Sequence, residues 1–134
     1  RSIIGNTAAL VTKVIYVKTS KRKNFVILDS GMSDFMRPAL YGSAHRIIPI
    51  KKNETIVKKI HDFVGPICET TDKSLSLKKY QKIKENDFLA ICDVGAYGIV
   101  LASNYNLRLK PAEVMVNNSN FKIISKKEDI KKLV

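Results

Sequence analysis

Short β-branched runs, each closed off by Gly, Pro, Asn or Asp, recur along the whole chain, and few folds other than a small β structure accommodate that rhythm. Ala8 to Lys18 alternates apolar with polar residues and ends in the polar stretch KTSKRK; NFVILD, Asn24 to Asp29, follows it, so the two read as a hairpin. IIPI at 47–50 is a strand that Pro49 confines to a sheet edge. Thr55 to Val64 reads as one strand ending in Gly-Pro, and LSLKKYQKIKENDF as a surface excursion. FLAICDVG (88–95) and AYGIVLAS (96–103) are apolar segments joined at glycines, while AEVMV (112–116) and FKIIS (121–125) flank NNSN as a second hairpin. About seven or eight such strands imply a mainly β fold, a barrel or sandwich, in a single domain over 1–134.

Two helices interrupt the pattern. In SGMSDFMRPALYGSAH, Asp34 is placed to cap a short helix and Pro38 suits its first turn, which predicts a helix near 34–44. KKEDIKKLV predicts a short amphipathic helix at the end of the chain.

The charge of +12 raises nucleic-acid binding, but lysine in short loop clusters supplies most of it. Arginine, the residue suited to bidentate phosphate and base contacts, is scarce, and the aromatics do not interleave with the lysines. Solubility is the preferred reading of the charge, with no nucleic-acid partner. The longest apolar run, FLAICDVGAYGIVLA, carries Asp93 and glycines and is too short to cross a membrane as a helix. There is no signal-like segment, and the two cysteines fit reduced thiols, so a cytoplasmic protein is expected. The opening RSIIGN, with no initiator Met, reads as cut from a longer polypeptide.

Chemistry concentrates in three stretches. GPICETTD sets Cys68 against Glu69. A neighbouring carboxylate opposes the thiolate that a nucleophile or zinc ligand needs, and suits a thiol that keeps a proton in order to deliver it. A buried small hydrophobe is the plain alternative; Cys92 fits it well, Cys68 with its polar neighbours less well. MRPALY places Arg37 and Tyr41 four residues apart on one helix face, a pair able to hold a carboxylate through a guanidinium fork and an added hydroxyl, or else a surface arginine beside a half-buried tyrosine. DVGAYGIV sets Tyr97 between Gly95 and Gly98, so that a tight turn could project the phenol outward; an aromatic plug at a barrel bend is the alternative. His45, His61 and the cysteines have no chelating spacing, and no glycine-rich phosphate loop is present.

Taken together, RSI, DSGMSDFMRPALYGSAH, VGPICETTD and DVGAYGIVLASNYNLRLKPAEVMV resemble the C-terminal domain of the diaminopimelate decarboxylase family, in that family's order and over Arg1 to about Val116. The resemblance implies a Greek-key-like β-barrel, with residues 1–6 a remnant of the crossover from an absent (β/α)8 barrel. It implies pyridoxal 5'-phosphate as cofactor, bound through a lysine outside this chain, and a homodimer with shared active sites. The implied reaction is meso-diaminopimelate to L-lysine and CO2. By resemblance, Cys68 is the proton donor, and Glu69 binds the substrate's distal ammonium; in the family both enter from the partner subunit. Arg37 and Tyr41 bind the distal carboxylate, Arg1 a substrate carboxylate, and Tyr97 reaches cofactor and substrate. Glu69, where ornithine and arginine decarboxylases of the same fold type carry aspartate, and the RPALY pair favour diaminopimelate. Thr70 stands where serine is common. The chain alone is expected to be inactive. The alternatives are a non-catalytic dimerisation or interaction domain, a relic of a truncated gene, and a related basic amino-acid decarboxylase.

Overall fold

A computed structural model describes residues 2–132. β1 (Ala9–Thr19) and β2 (Lys23–Leu28) form the predicted hairpin, with the Ser20 main chain and hydroxyl closing on the Lys23 carbonyl. Along β2 the alternation is strict: Asn24, Val26 and Leu28 are buried while Phe25 and Ile27 lie on the other face. β1 departs from it. Val14 pairs with Leu28 but Tyr16 with Ile27, so Ile15 is an extra residue, and this bulge lets Val14 and Val17 both reach the core.

β3 (Ile47–Pro49) is an edge strand, as Pro49 requires. The stretch read as one strand over Thr55–Val64 is two, β4 (Ile56–Val57) and β5 (Ile60–Val64), because each half pairs in a different sheet. β6 (Lys73–Leu77), β7 (Tyr80–Gln81) and β8 (Phe88–Cys92) follow. The main sheet runs β3-β8-β1-β2-β5-β6, antiparallel except for the parallel pair β2–β5, and it curls into a half-barrel whose outer strands β3 and β6 are not paired with each other. Inside lie Val14, Val26, Leu28, Phe35, Ile47, Phe63, Leu89 and Ile91.

The supposed surface excursion is a lid on this core. Tyr80 packs edge-on against Phe63 at 5.1 Å between centroids and donates its hydroxyl to the Ile47 carbonyl at 2.9 Å, while Ile83 also packs on the core. Its amphipathic ring satisfies both demands at once, which lysine-rich neighbours concealed. Residues 96–103 form no strand; they turn, with a 3-10 segment at Ile99–Leu101. β9 (Glu113–Asn117) and β10 (Asn120–Ser125) make the second hairpin. Of the helix expected over 126–134, the described residues show a 3-10 turn at Ile130–Lys132. Among the described residues no helix is long and apolar enough to cross a membrane.

α1 (Arg37–Tyr41) lies within the predicted range, with Pro38 in its first turn and Gly42 closing it at φ 61°. Asp34 does not cap it. The cap position is Met36, without a side-chain bond, and Asp34 instead accepts from the Gly31 N–H at 2.9 Å, closing a turn one step earlier.

Candidate active site

Three loops meet at the C-terminal ends of β2, β5 and β8: the turn 29–36 leading into α1, the loop 65–72 between β5 and β6, and the segment 93–108 after β8. A short carboxylate joins the first two. Asp72, 5% exposed, accepts from the Met32 N–H at 2.7 Å through one oxygen and from the Ile67 N–H at 2.8 Å through the other. Gly31 and Gly65 make this possible; a Cβ on Gly65 would stand 2.2 Å from the carboxylate, and one on Gly31 2.7 Å. Burial pushes the Asp72 carboxyl upward, against the pull of both amides and of Arg108.

The third loop is tied to the first by the Ser103 N–H on the Ser33 carbonyl, 2.8 Å, and by Arg108, whose guanidinium reaches the Ser33 hydroxyl, the Asp29 carbonyl and, at 3.6 Å, the Asp34 carboxylate. It is tied to the second by Tyr105, whose hydroxyl donates to Glu69 at 2.8 Å; that bond and the Glu69 charge raise the Tyr105 hydroxyl above its ordinary range. Glu69 is therefore held toward Tyr105, beside an exposed, free Cys68.

Tyr97 is 55% exposed, and its own backbone is left-handed at φ 59°. The left-handed torsion of this turn falls on Tyr97 itself, while Gly95 and Gly98 supply room. A Cβ on Gly95 would lie 2.0 Å from the Ile4 carbonyl oxygen, and one on Gly98 2.3 Å from that of Val94. A tyrosine in this region costs about 1–2 kcal/mol, the kind of strain found where a side chain must point one way. On α1 the Arg37 guanidinium lies over the Tyr41 ring, 5.4 Å from its centroid, and Tyr41 is largely exposed.

Thus Cys68 and Glu69 share one loop, Arg37 and Tyr41 one helix turn, and Tyr97 the segment that also bears Tyr105. Arg1 lies outside the described residues. Asp72, Tyr105 and Arg108 sat inside the quoted motifs without an assigned role. Their one trace in the sequence is glycine at 31 and 65, beside the loop that an aspartate closes. Among the described residues no cluster of three or more His, Cys, Asp or Glu could hold a metal ion.

Residues 3–95 match the family described as "Pyridoxal-dependent decarboxylase, C-terminal sheet domain", and the chain belongs to that family. Among individual relatives, the diaminopimelate decarboxylase of Aquifex aeolicus is 41% identical over 129 residues, covering 96% of this chain and 30% of the relative. That of Archaeoglobus fulgidus is 41% identical over 134 residues, covering all of this chain and 32% of the relative. The crystal structure of diaminopimelate decarboxylase from Helicobacter pylori complexed with L-lysine superimposes with a TM-score of 0.89 at 39% identity, covering 98% of this chain and 32% of that one. The chain spans about a third of the length of the curated relatives it matches.

Proposed function

We propose that this chain is the substrate-specificity and proton-donor domain of a cytoplasmic diaminopimelate decarboxylase, converting meso-diaminopimelate to L-lysine and CO2 with a (β/α)8 barrel that completes the site. The observation that carries this reading is the exposed Cys68–Glu69 pair on a loop secured from beneath by Asp72 and from the side by Tyr105. The likeness to diaminopimelate decarboxylases over the whole chain supports it.

Each group has a task that its chemistry suits. Arg37 offers a planar fork to the distal carboxylate of the substrate, and its seat over the Tyr41 ring restrains the fork before substrate arrives. The Tyr41 hydroxyl adds a hydrogen bond to the same carboxylate. Glu69 takes the distal ammonium. Cys68 Sγ gives its proton to the carbon that has lost CO2, on the face toward this loop. Arg1 is assigned to a substrate carboxylate by resemblance alone.

Pyridoxal 5'-phosphate, when bound, draws off the electron pair left at the reacting carbon. Of the residues here Tyr97 fits its rim, being an exposed phenol on a left-handed turn. The anchoring lysine and the phosphate loop belong to the barrel. The reading also includes a homodimer with shared sites, no nucleic-acid partner, and an isolated chain without activity.

The test is lysine formation from meso-diaminopimelate with added pyridoxal 5'-phosphate, on this chain alone and mixed with a separately produced (β/α)8 half. Activity in the mixture only is expected. Activity of the chain alone overturns the shared site. Inactivity of both, with both folded, overturns the catalytic reading in favour of an interaction domain.

A further inference from the structure

Glu69 has a fixed main chain and a long side chain. Its N–H donates to the Ile67 carbonyl at 2.8 Å and its carbonyl accepts from the Asp72 N–H at 3.1 Å. The exposed side chain beyond keeps three rotatable bonds, and among the described residues one group restrains it: the Tyr105 hydroxyl, which donates to Oε1 at 2.8 Å. The other carboxylate oxygen is left open.

Tyr105 is itself 45% exposed, so burial does not hold it in place. The loop around it does. On one side the Ser103 N–H donates to the Ser33 carbonyl at 2.8 Å; on the other the Arg108 guanidinium reaches the Ser33 hydroxyl at 3.2 Å and the Asp34 carboxylate at 3.6 Å. Asn104 closes the span between them, donating from Nδ2 to the Arg108 carbonyl at 2.9 Å. Within it Asn106 and Leu107 are both left-handed, at φ 56° and 55°. Asparagine enters that region readily and leucine does not, so the ties at the two ends keep the turn tight against local preference.

A phenol suits the task better than a charged group. An arginine or lysine in its place would orient the carboxylate and also cancel the charge that an ammonium ligand needs. The Tyr105 hydroxyl orients without neutralising, and the bond to Glu69 raises it above its ordinary range, so it stays a donor. Holding the side chain beforehand also spares the ordering cost that binding would otherwise carry. Tyr105 and Glu69 belong to one chain and to adjoining loops, so the pair stays together wherever Glu69 acts, the site of a partner subunit included.

We propose that Tyr105 is a positioning residue for substrate specificity: it holds the Glu69 carboxylate with one oxygen turned to the substrate's distal ammonium, and so favours diamino diacids over diacids with a single amino group. This rests on Glu69 binding that ammonium, as proposed above.

The experiment uses the complete decarboxylase, this chain together with its barrel, and two ligands. One is meso-diaminopimelate. The other is D-2-aminopimelate, the same diacid with hydrogen in place of the distal ammonium, added as a competitor whose inhibition constant is measured. Tyr105→Phe removes the hydroxyl and keeps the ring. It is expected to raise KM for meso-diaminopimelate about tenfold with little change in kcat, the usual worth of a hydrogen bond to a charged group, and to leave the inhibition constant of D-2-aminopimelate unchanged. A bond that only braces the loops would weaken both ligands alike or lower the folded fraction. Either of those results, or no change at all, overturns the proposal. Glu69→Gln separates the underlying reading. If it weakens neither ligand, or both alike, Glu69 does not hold the distal ammonium and that reading fails first. If it weakens meso-diaminopimelate selectively while Tyr105→Phe does not, only the positioning role fails.

Discussion

Asp62 offers a quantitative check on what holds the half-barrel together. It is 3% exposed on β5, yet it accepts from Lys23 Nζ at 2.8 Å, from Lys73 Nζ at 3.1 Å and from the Ser76 hydroxyl, so that one carboxylate fastens β2, β5 and β6. Burial alone would raise its carboxyl. The bonds from Lys23, Ser76 and Lys73 outweigh it and hold the group at about 2, against an ordinary 3.8. A displacement of that size corresponds to about 2 kcal/mol. Both lysine side chains remain more than a third in water, so solvent screening brings the expected contribution to about 1–2 kcal/mol. As pH falls, the unfolded chain takes up this proton near 4 and the native chain only near 2, so the stabilisation is complete above about pH 5 and lost through that interval. Asp62→Asn should lower stability by about 1–2 kcal/mol at pH 7, about 3–8 °C in Tm. Since asparagine does not titrate, the gap from the unaltered protein should close as pH approaches 2. Urea unfolding of both proteins at pH 7, 4 and 2.5 measures it. A gap that is absent at pH 7, or the same at all three values, refutes the claim that the charge is what fastens these strands.

In the complete enzyme, Cys68→Ala should reduce kcat by about 10²–10⁴, the usual worth of a positioned acid, with the cofactor's absorption spectrum unchanged; unimpaired turnover would assign the proton elsewhere. Arg37→Lys should raise KM for meso-diaminopimelate about tenfold with little change in kcat, because an ammonium cannot reproduce the fork, and steady-state kinetics at saturating cofactor decide it. Gly65→Ala brings a Cβ to 2.2 Å from the Asp72 carboxylate, in a site where that short side chain cannot retreat. It should cost about 1–3 kcal/mol in thermal or urea unfolding, and a neutral result would mean the loop is looser than its two amide bonds imply.

The parts of the fold legible in the sequence were those set by a repeating environment. β2 alternates because one face meets the core throughout, and Pro49 marks an edge because it cannot donate to a ladder. What escaped notice depended on a single partner distant in the chain. The bulge at Ile15 follows from register against Leu28 and Ile27, and Tyr80 is buried only because the Ile47 carbonyl and the Phe63 ring wait for it across the half-barrel. Asp34 had the right chemistry for a helix cap and was claimed by the Gly31 amide instead. The candidate site divides in the same way. Cys68, Glu69, Arg37, Tyr41 and Tyr97 stand out because reactive groups and glycines cluster locally, whereas the residues that brace their loops find partners far off in the chain, some of them main-chain groups with no side-chain signature. Asp72 is the sharpest case: its partners are the amides of Met32 and Ile67, positions that almost any residue could fill. Only the two glycines that make room for the carboxylate leave a mark in the sequence, and each taken alone is indistinguishable from a turn. A substitution at Asp72 therefore tests something that no spacing rule describes, namely whether one carboxylate holds two loops far apart in sequence as a rigid pair.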